Sequence, residues 1–126
     1  PEHGIRSVRK GLDVRRGLFR SIATPVYYYN MTAQMKTFID RNYFRYTHNI
    51  PLKSKCMGLI VVAGGSADDI TIRALKRCFR IKGVSSDDWL VVSGYASGLG
   101  DVKNKPELIA KARELGKKMA ERVKME

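Results

Sequence analysis

Cysteine and histidine are scarce in this chain, with two of each among 126 residues. Cys56 and Cys78 are far apart, each inside an apolar segment. That is the pattern of reduced thiols buried in a cytoplasmic protein, not of a disulfide framework. With His3 and His48 as the other candidates, no metal-ligand cluster assembles. No apolar run approaches the roughly 20 residues needed to span a bilayer. The N-terminal region is basic but has no apolar core followed by a small-residue cleavage site, so no signal peptide is visible. Repeats and low-complexity tracts are absent. Acidic residues are also few, 12 against 24 Lys and Arg, for a net charge of +12. Such a balance brings nucleic acid, anionic cofactors or acidic partners into consideration, but says nothing about fold.

What is present suits a folded globule. The chain is one domain long and 44% hydrophobic, enough for a core. Residues 1–17, "PEHGIRSVRKGLDVRRG", are basic and broken by glycines, with Ile5, Val8, Leu12 and Val14 giving a weak helical stripe. Residues 18–23, "LFRSIA", read as a strand ending at Thr24-Pro25 and interrupted by Arg20. Pro25 disfavours helix at Thr24 and opens a loop. Asn30 or Thr32 can cap the next helix. In it Met31, Met35, Phe38 and Ile39 share one face, with Gln34, Lys36, Asp40 and Arg41 on the other. Residues 42–54 read as an irregular connection.

"CMGLIVVAGG", 56–65, has the continuous β-branched character of a central parallel strand that stops at a Gly pair. Ser66, Asp68 and Asp69 supply capping oxygens and negative charge for a following helix. Its inward face is expected to hold Ile70, Ala74, Leu75, Cys78 and Phe79, and Arg73, Lys76, Arg77 and Arg80 form a basic face. Gly83 is its expected stop. "WLVVSGYASG", 89–98, is a further strand ending in glycines. A last helix opens at Pro106 with Leu108, Ala112, Leu115, Met119 and Val123 on one side. Strand and helix alternate three times, which implies an α/β sandwich with a mostly parallel sheet. Ligands of such sheets bind beyond the carboxyl ends of the strands. Three segments fall there: Thr24–Asn30, Ala63–Ser66 and Gly94–Gly98.

The stretch "TPVYYYNMTAQMKTFIDR", Thr24 to Arg41, resembles the motif of the flavodoxin-like NAD(P)H-dependent FMN reductases and the related iron–sulfur flavoproteins. The family pattern is Ser/Thr-Pro-Val-Tyr, a short aromatic or Gly-containing turn, Asn, then a helix ending Lys-x-Phe-Ile-Asp-Arg. The Gly-Gly strand end and "GYASGLGDVKNKPELIAKARELGKKMA" follow in the family's order, and the resemblance covers about residues 21–124. It implies a flavodoxin-like three-layer sandwich that binds FMN and takes electrons from NAD(P)H. It further implies that Thr24, Pro25, Val26, Tyr27, Tyr28, Tyr29 and Asn30 pack against the flavin, with Ala63, Gly64, Gly65 and Ser66 contacting the ring on another side. The family's first strand and its Ser/Thr/Gly-rich phosphate loop have no counterpart, so the first β-α-β portion is expected to be lacking. The reading is therefore an atypical basic segment, 1–20, ahead of a partial flavodoxin-like domain, 21–126. The Cys-rich stretch of the iron–sulfur flavoproteins also has no counterpart, and no cluster is expected.

The functional expectation is an FMN-dependent NAD(P)H oxidoreductase of flavin- or quinone-reductase type, or an electron-transfer flavoprotein. No obligatory side-chain acid, base or nucleophile stands out, which suits chemistry carried by the cofactor. The alternatives are a truncated remnant without firm FMN binding, and a basic nucleic-acid-binding module. The last is unfavoured, because the aromatics are not interleaved with the basic stripe as stacking readers need. In the doubly wound order 2-1-3-4-5 the strands here would stand third, fourth and fifth. One edge of 18–23 would then be open, and self-association as a dimer or higher oligomer is expected there.

Overall fold

The computed structural model describes residues 19–50, 54, 56–80 and 89–124. The expectations for segment 1–17, Leu18, the stop at Gly83 and the side chains of Arg20 and Val123 lie outside the described residues.

A four-stranded sheet organises the chain. Its strands are β1 (Phe19–Tyr27), β2 (Asn30–Met31), β3 (Cys56–Ala63) and β4 (Trp89–Tyr95), in the spatial order β2-β1-β3-β4. The pairs β1–β3 and β3–β4 are parallel, whereas the two-residue β2 returns antiparallel to β1. The helices are α1 (Ala33–Arg41), α2 (Tyr43–Thr47), α3 (Asp68–Arg80) and α4 (Pro106–Lys124), with a 3₁₀ turn at Asp101–Asn104. This is the α/β layering that the alternation implies, and it is consistent with the flavodoxin-like fold that the resemblance implies.

The central strand explains the layers. Every residue of "CMGLIVVA" is apolar or glycine, yet successive side chains point to opposite faces. Met57, Leu59 and Val61 join Leu75 and Phe79 of α3 and Trp89 of β4 in one core. Ile22 and Val26 of β1, Met31, and Met35 and Ile39 of α1 pack around it. On the other face Cys56 meets Leu115 and Met119 of α4, with Ile60, Leu90 and Val92 beside them. A strand covered on both sides has no place for a polar residue, hence the unbroken run. Two glycines let α4 lie close: a Cβ at Gly58 would sit 2.5 Å from Met119 Sδ, and one at Gly94 2.4 Å from Leu108 Cδ2.

Several expectations need correction. β1 does not end at Thr24-Pro25; it runs through to Tyr27. The extended bias that proline imposes on its predecessor suits a strand as well as a loop. Successive residues of a strand turn their N–H groups to opposite sides, and residues two apart turn them to the same side. Tyr27 addresses β2, so the nitrogen of Pro25, two residues earlier, lies on that same outer side, where β2 does not pair. Residues 43–47 form a short helix in place of an irregular connection. Asn42 makes the junction: its side-chain amide donates to Phe38 O at 2.8 Å, and its carbonyl accepts from Arg45 N at 3.1 Å. Phe38 and Ile70 are not inward; each is 49% exposed. Thr71 holds the buried position next to Ile70, and its hydroxyl donates to Ala67 O at 2.9 Å.

The α4 face of β1 is open among the described residues, with Ser21, Ala23 and Pro25 exposed. Beside it a groove of about 360 Å³ runs between the sheet and α4, lined by Ile60, Val62, Val92, Leu108 and Ile109.

The two close-approach glycines make a graded test. Gly94→Ala must displace the branched Leu108 side chain back to its Cγ, 3.1 Å away, and is expected to cost about 1–3 kcal/mol. Gly58→Ala meets mainly the flexible end of Met119 and is expected to cost less. Urea denaturation of the two variants checks the order.

Candidate functional site

Register brings the three sequence-predicted segments to one edge of the sheet. Pro25 pairs with Val62, and Val62 with Gly94. Two residues further on, the chain leaves the sheet at Tyr27, at Gly64 and at Ala96 in adjacent positions. Neighbouring strands lie about 4.8 Å apart, so the three turns share one crevice at the carboxyl ends.

The first turn is a two-residue hairpin. Tyr27 pairs with Asn30 and Val26 with Met31. Tyr28 and Tyr29 both lie in the left-handed region, at φ 48° and 64°. Two positive φ values in a two-residue loop define a type I′ turn, which normally carries Asn-Gly. Tyrosine there is strained by about 1–3 kcal/mol per residue. The turn also leaves Tyr27 63%, Tyr28 99% and Tyr29 68% exposed. Conformational strain and uncovered aromatic surface therefore coincide.

The residues of this motif divide by role. Pro25, Tyr27, Tyr28, Tyr29 and Asn30 face solvent, whereas Thr24 is buried and Val26 packs against the core. The Thr24 hydroxyl donates to Pro25 O at 2.9 Å and accepts from Thr32 N at 3.3 Å. It thus stitches β1 to the residue that opens α1. Thr32 is the N-cap of that helix, accepting from Met35 N at 3.2 Å. Asn30 caps no helix; its Oδ1 accepts from Met31 N at 2.8 Å within the hairpin.

The second turn follows β3. Ala63 is buried, while Gly64, Gly65 and Ser66 are exposed. A Cβ on either glycine would meet nothing within 4 Å, so a flat ligand can approach this backbone closely. Ala67 closes the turn at φ 67°, and α3 begins with Asp68 and Asp69 in its first turn. Ser66 is not seen to cap α3; its side chain stays exposed.

The third turn was noticed in sequence only for its glycines. Its hydrogen bonds show more. Ala96 N donates to Ala63 O at 2.9 Å, tying the second and third turns together. Ser97 N donates to Asp101 Oδ2 at 3.2 Å, and Asp101 N to Gly98 O at 3.1 Å across Gly100, whose φ is 76°. Lys105 donates its ammonium to Tyr95 O and lies 3.5 Å from Asp101. The Tyr95 hydroxyl donates to Asp68 Oδ1 at 2.9 Å. Desolvation pushes the Asp68 carboxyl up, but hydrogen bonds from Tyr95, from Ser93 and from the amides at Asp68 and Asp69 outweigh it and leave it below the ordinary range. The Asp68 hydrogen bond and charge, with some burial and Asp69, raise the Tyr95 phenol. The carboxylate's contribution is therefore lost as pH falls through its lowered value, and the phenol's as pH rises through its raised one. Neither Asp68 nor Tyr95 was singled out in sequence as a site residue. The only signal was a tyrosine between the glycines of a strand end.

Among the described residues no group of three His, Cys, Asp or Glu could hold a metal ion. Cys56 packs on the α4 side and Cys78 lies on α3, across the sheet. The two thiols cannot share a ligand.

Replacing Tyr28-Tyr29 by Asn-Gly, the pair a type I′ turn prefers, relieves the hairpin. The double variant is expected to gain about 1–3 kcal/mol in stability, read from denaturant midpoints.

The family model described as NADPH-dependent FMN reductase matches residues 22–97, which spans the hairpin, the Gly64–Gly65 turn and the end of β4. An iron–sulfur flavoprotein of Archaeoglobus fulgidus is 42% identical over 103 residues, covering 79% of this chain and 44% of that protein. The chain thus spans less than half the length of that relative. No helix among the described residues is long and apolar enough to cross a membrane. On the matched segment and the identity together, the chain belongs to the NADPH-dependent FMN reductase family.

Proposed function

We propose that the chain is part of an FMN-dependent oxidoreductase or electron-transfer flavoprotein, with NAD(P)H as electron donor, and that its strand-end crevice forms the ring side of the flavin site. One observation carries the reading. Three tyrosines stand exposed on a strained hairpin, and sheet register sets that hairpin beside an open Gly-Gly turn. Strain of this kind persists where the surrounding structure holds it for a purpose.

The residues fit an isoalloxazine. Tyr27 and Tyr29 offer a flat aromatic wall, and Asn30 a polar rim. Gly64 and Gly65 expose backbone amides to which ring heteroatoms can hydrogen-bond, with Ser66 beside them. Thr24 and Val26 act from behind, fixing the hairpin to α1 and to the core. Bound flavin supplies the hydride and electron transfer, and the protein positions and shields the ring. The start of α3 does not fit a phosphate. A helix N-terminus attracts anions, but Asp68 and Asp69 already occupy this one. Two cysteines on opposite faces of the sheet make no cluster site within this chain.

FMN and riboflavin are therefore expected to bind with affinities within a few-fold of each other, as read by flavin fluorescence quenching. Tyr27→Ala and Tyr29→Ala are each expected to weaken binding about fivefold, for about 1 kcal/mol of stacking. Arg77→Glu, on the exposed basic face of α3, is expected to leave it unchanged. Normal binding by both tyrosine variants would sink the ring-side assignment.

We also propose that the chain self-associates through β1. Among the described residues, the outer edge of β1 has no partner strand beyond its two pairs with β2, and Ser21, Ala23 and Pro25 on its α4 face are exposed. Unpaired edges attract strands, and a two-fold pair is the commonest closed solution. Sedimentation at tens of micromolar is expected to show a dimer; a strict monomer would overturn this.

A further inference from the structure

The first three residues of the turn proposed to meet the flavin, Gly64–Ser66, are exposed. Gly64 and Gly65 would place a Cβ in open space. Ser66 is exposed, whereas Ala67 is buried, its carbonyl accepts from Thr71 N at 3.2 Å and from the Thr71 hydroxyl at 2.9 Å, and its left-handed φ of 67° is one that alanine does not favour. No side chain within Gly64–Ser66 defines the shape of that stretch, so the residues at its two ends must. The first end is held by Ala96 N on Ala63 O, 2.9 Å. The second end is Asp68, and its carboxylate accepts from the Tyr95 hydroxyl at 2.9 Å. Tyr95 and Ala96 are consecutive. The last residue of β4 and the one after it therefore bracket the whole turn. Tyr95 is itself anchored, because Lys105 donates to its carbonyl while lying within 3.5 Å of Asp101.

We propose that Tyr95 is a positioning residue for flavin, acting through Asp68 to hold the Gly64–Ala67 turn in the shape that receives the ring. The inference rests on the flavin reading above. The phenol reaches sideways from the end of β4 to the start of α3, two points that lie 27 residues apart along the chain. Phenylalanine would keep the ring's packing and lose the tie. Asparagine at 68 would keep an accepting oxygen, whereas alanine would not. The tie is polar and lies at the rim, with Tyr95 46% exposed, so it shapes a local turn without carrying the fold.

The test uses Tyr95→Phe, Asp68→Ala and Asp68→Asn in the full chain. Amide hydrogen exchange without flavin reads the turn directly, and flavin titration with the visible spectrum of the bound ring reads the site. Tyr95→Phe and Asp68→Ala are expected to exchange several-fold faster across residues 64–67, to bind riboflavin several-fold more weakly and to shift the bound flavin's visible bands. Asp68→Asn is expected to stay near wild type in all three, and denaturation midpoints to shift only by the small contribution of one exposed hydrogen bond. Unchanged exchange in Tyr95→Phe overturns the tie. Faster exchange with unchanged affinity and spectrum overturns its role for flavin. Weakened binding that follows falling midpoints in all three variants overturns positioning in favour of a general loss of stability. A wild-type chain that shows the exchange difference but takes no flavin overturns the functional reading, and the tie then stands as a lock on the turn alone.

Discussion

The site depends on β3 being buried on both faces. Because "CMGLIVVA" packs against α3 on one side and α4 on the other, a one-residue slip would exchange its two faces. Met57, Leu59 and Val61 would then face the cavity shaped for Cys56, Gly58 and Ile60. Register with β1 and β4 is thereby locked, and it is register that sets Tyr27, Gly64 and Ala96 in adjacent positions. The crevice is a consequence of core packing several residues away. The glycines add to the lock: Gly58 and Gly94 both point toward α4, and after a slip their places beneath the helix would be taken by side chains.

Against that rigid frame the hairpin is the costly element. Tyrosine in two successive left-handed positions gains nothing from the fold, and Tyr28 buries almost none of its ring. Turn chemistry alone would select Asn-Gly. The strain is borne by what flanks it: Val26 in the core, and Thr24 joined to Thr32 at the start of α1. In this arrangement the threonine of the Thr-Pro motif is structural and the tyrosines are the presented groups. One short motif thus does two jobs that its sequence does not separate.

How much was legible follows from the physics of each signal. The β-branched run of β3 and the helical period of α4 are strong patterns, and both formed as read, as did the parallel α/β architecture. Weaker inferences failed for identifiable reasons. Phe38 and Ile70 fall on apolar stripes by spacing, yet periodicity assigns a side of the helix without saying how far the neighbouring layer extends. Thr71 took the buried place beside Ile70 because its hydroxyl could return to Ala67 O, a local bond that hydropathy does not register. The strand through Pro25 was missed because proline marks the lack of a donor without saying which side of the strand it faces. The type I′ hairpin carries none of its usual residues and was invisible as a turn type. The family motif pointed to the candidate site. It did not divide Thr24 and Val26 from Tyr27–Asn30, which needs the two faces of β1.

The electrostatics of the crevice run against the molecule as a whole. The chain carries +12, but the rim between β3 and β4 holds Asp68 and Asp69 at a helix start, where carboxylates are favoured by the exposed amides. Those amides are thereby satisfied internally and are not offered to a phosphate. The Asp68 carboxylate is held in its charged form by neutral donors, the hydroxyls of Tyr95 and Ser93, and not by a lysine. Lys105, the nearby cation, is engaged with Tyr95 O and Asp101. A lysine on Asp68 would place a full positive charge beside the proposed ring. A phenol ties down the same carboxylate without adding one.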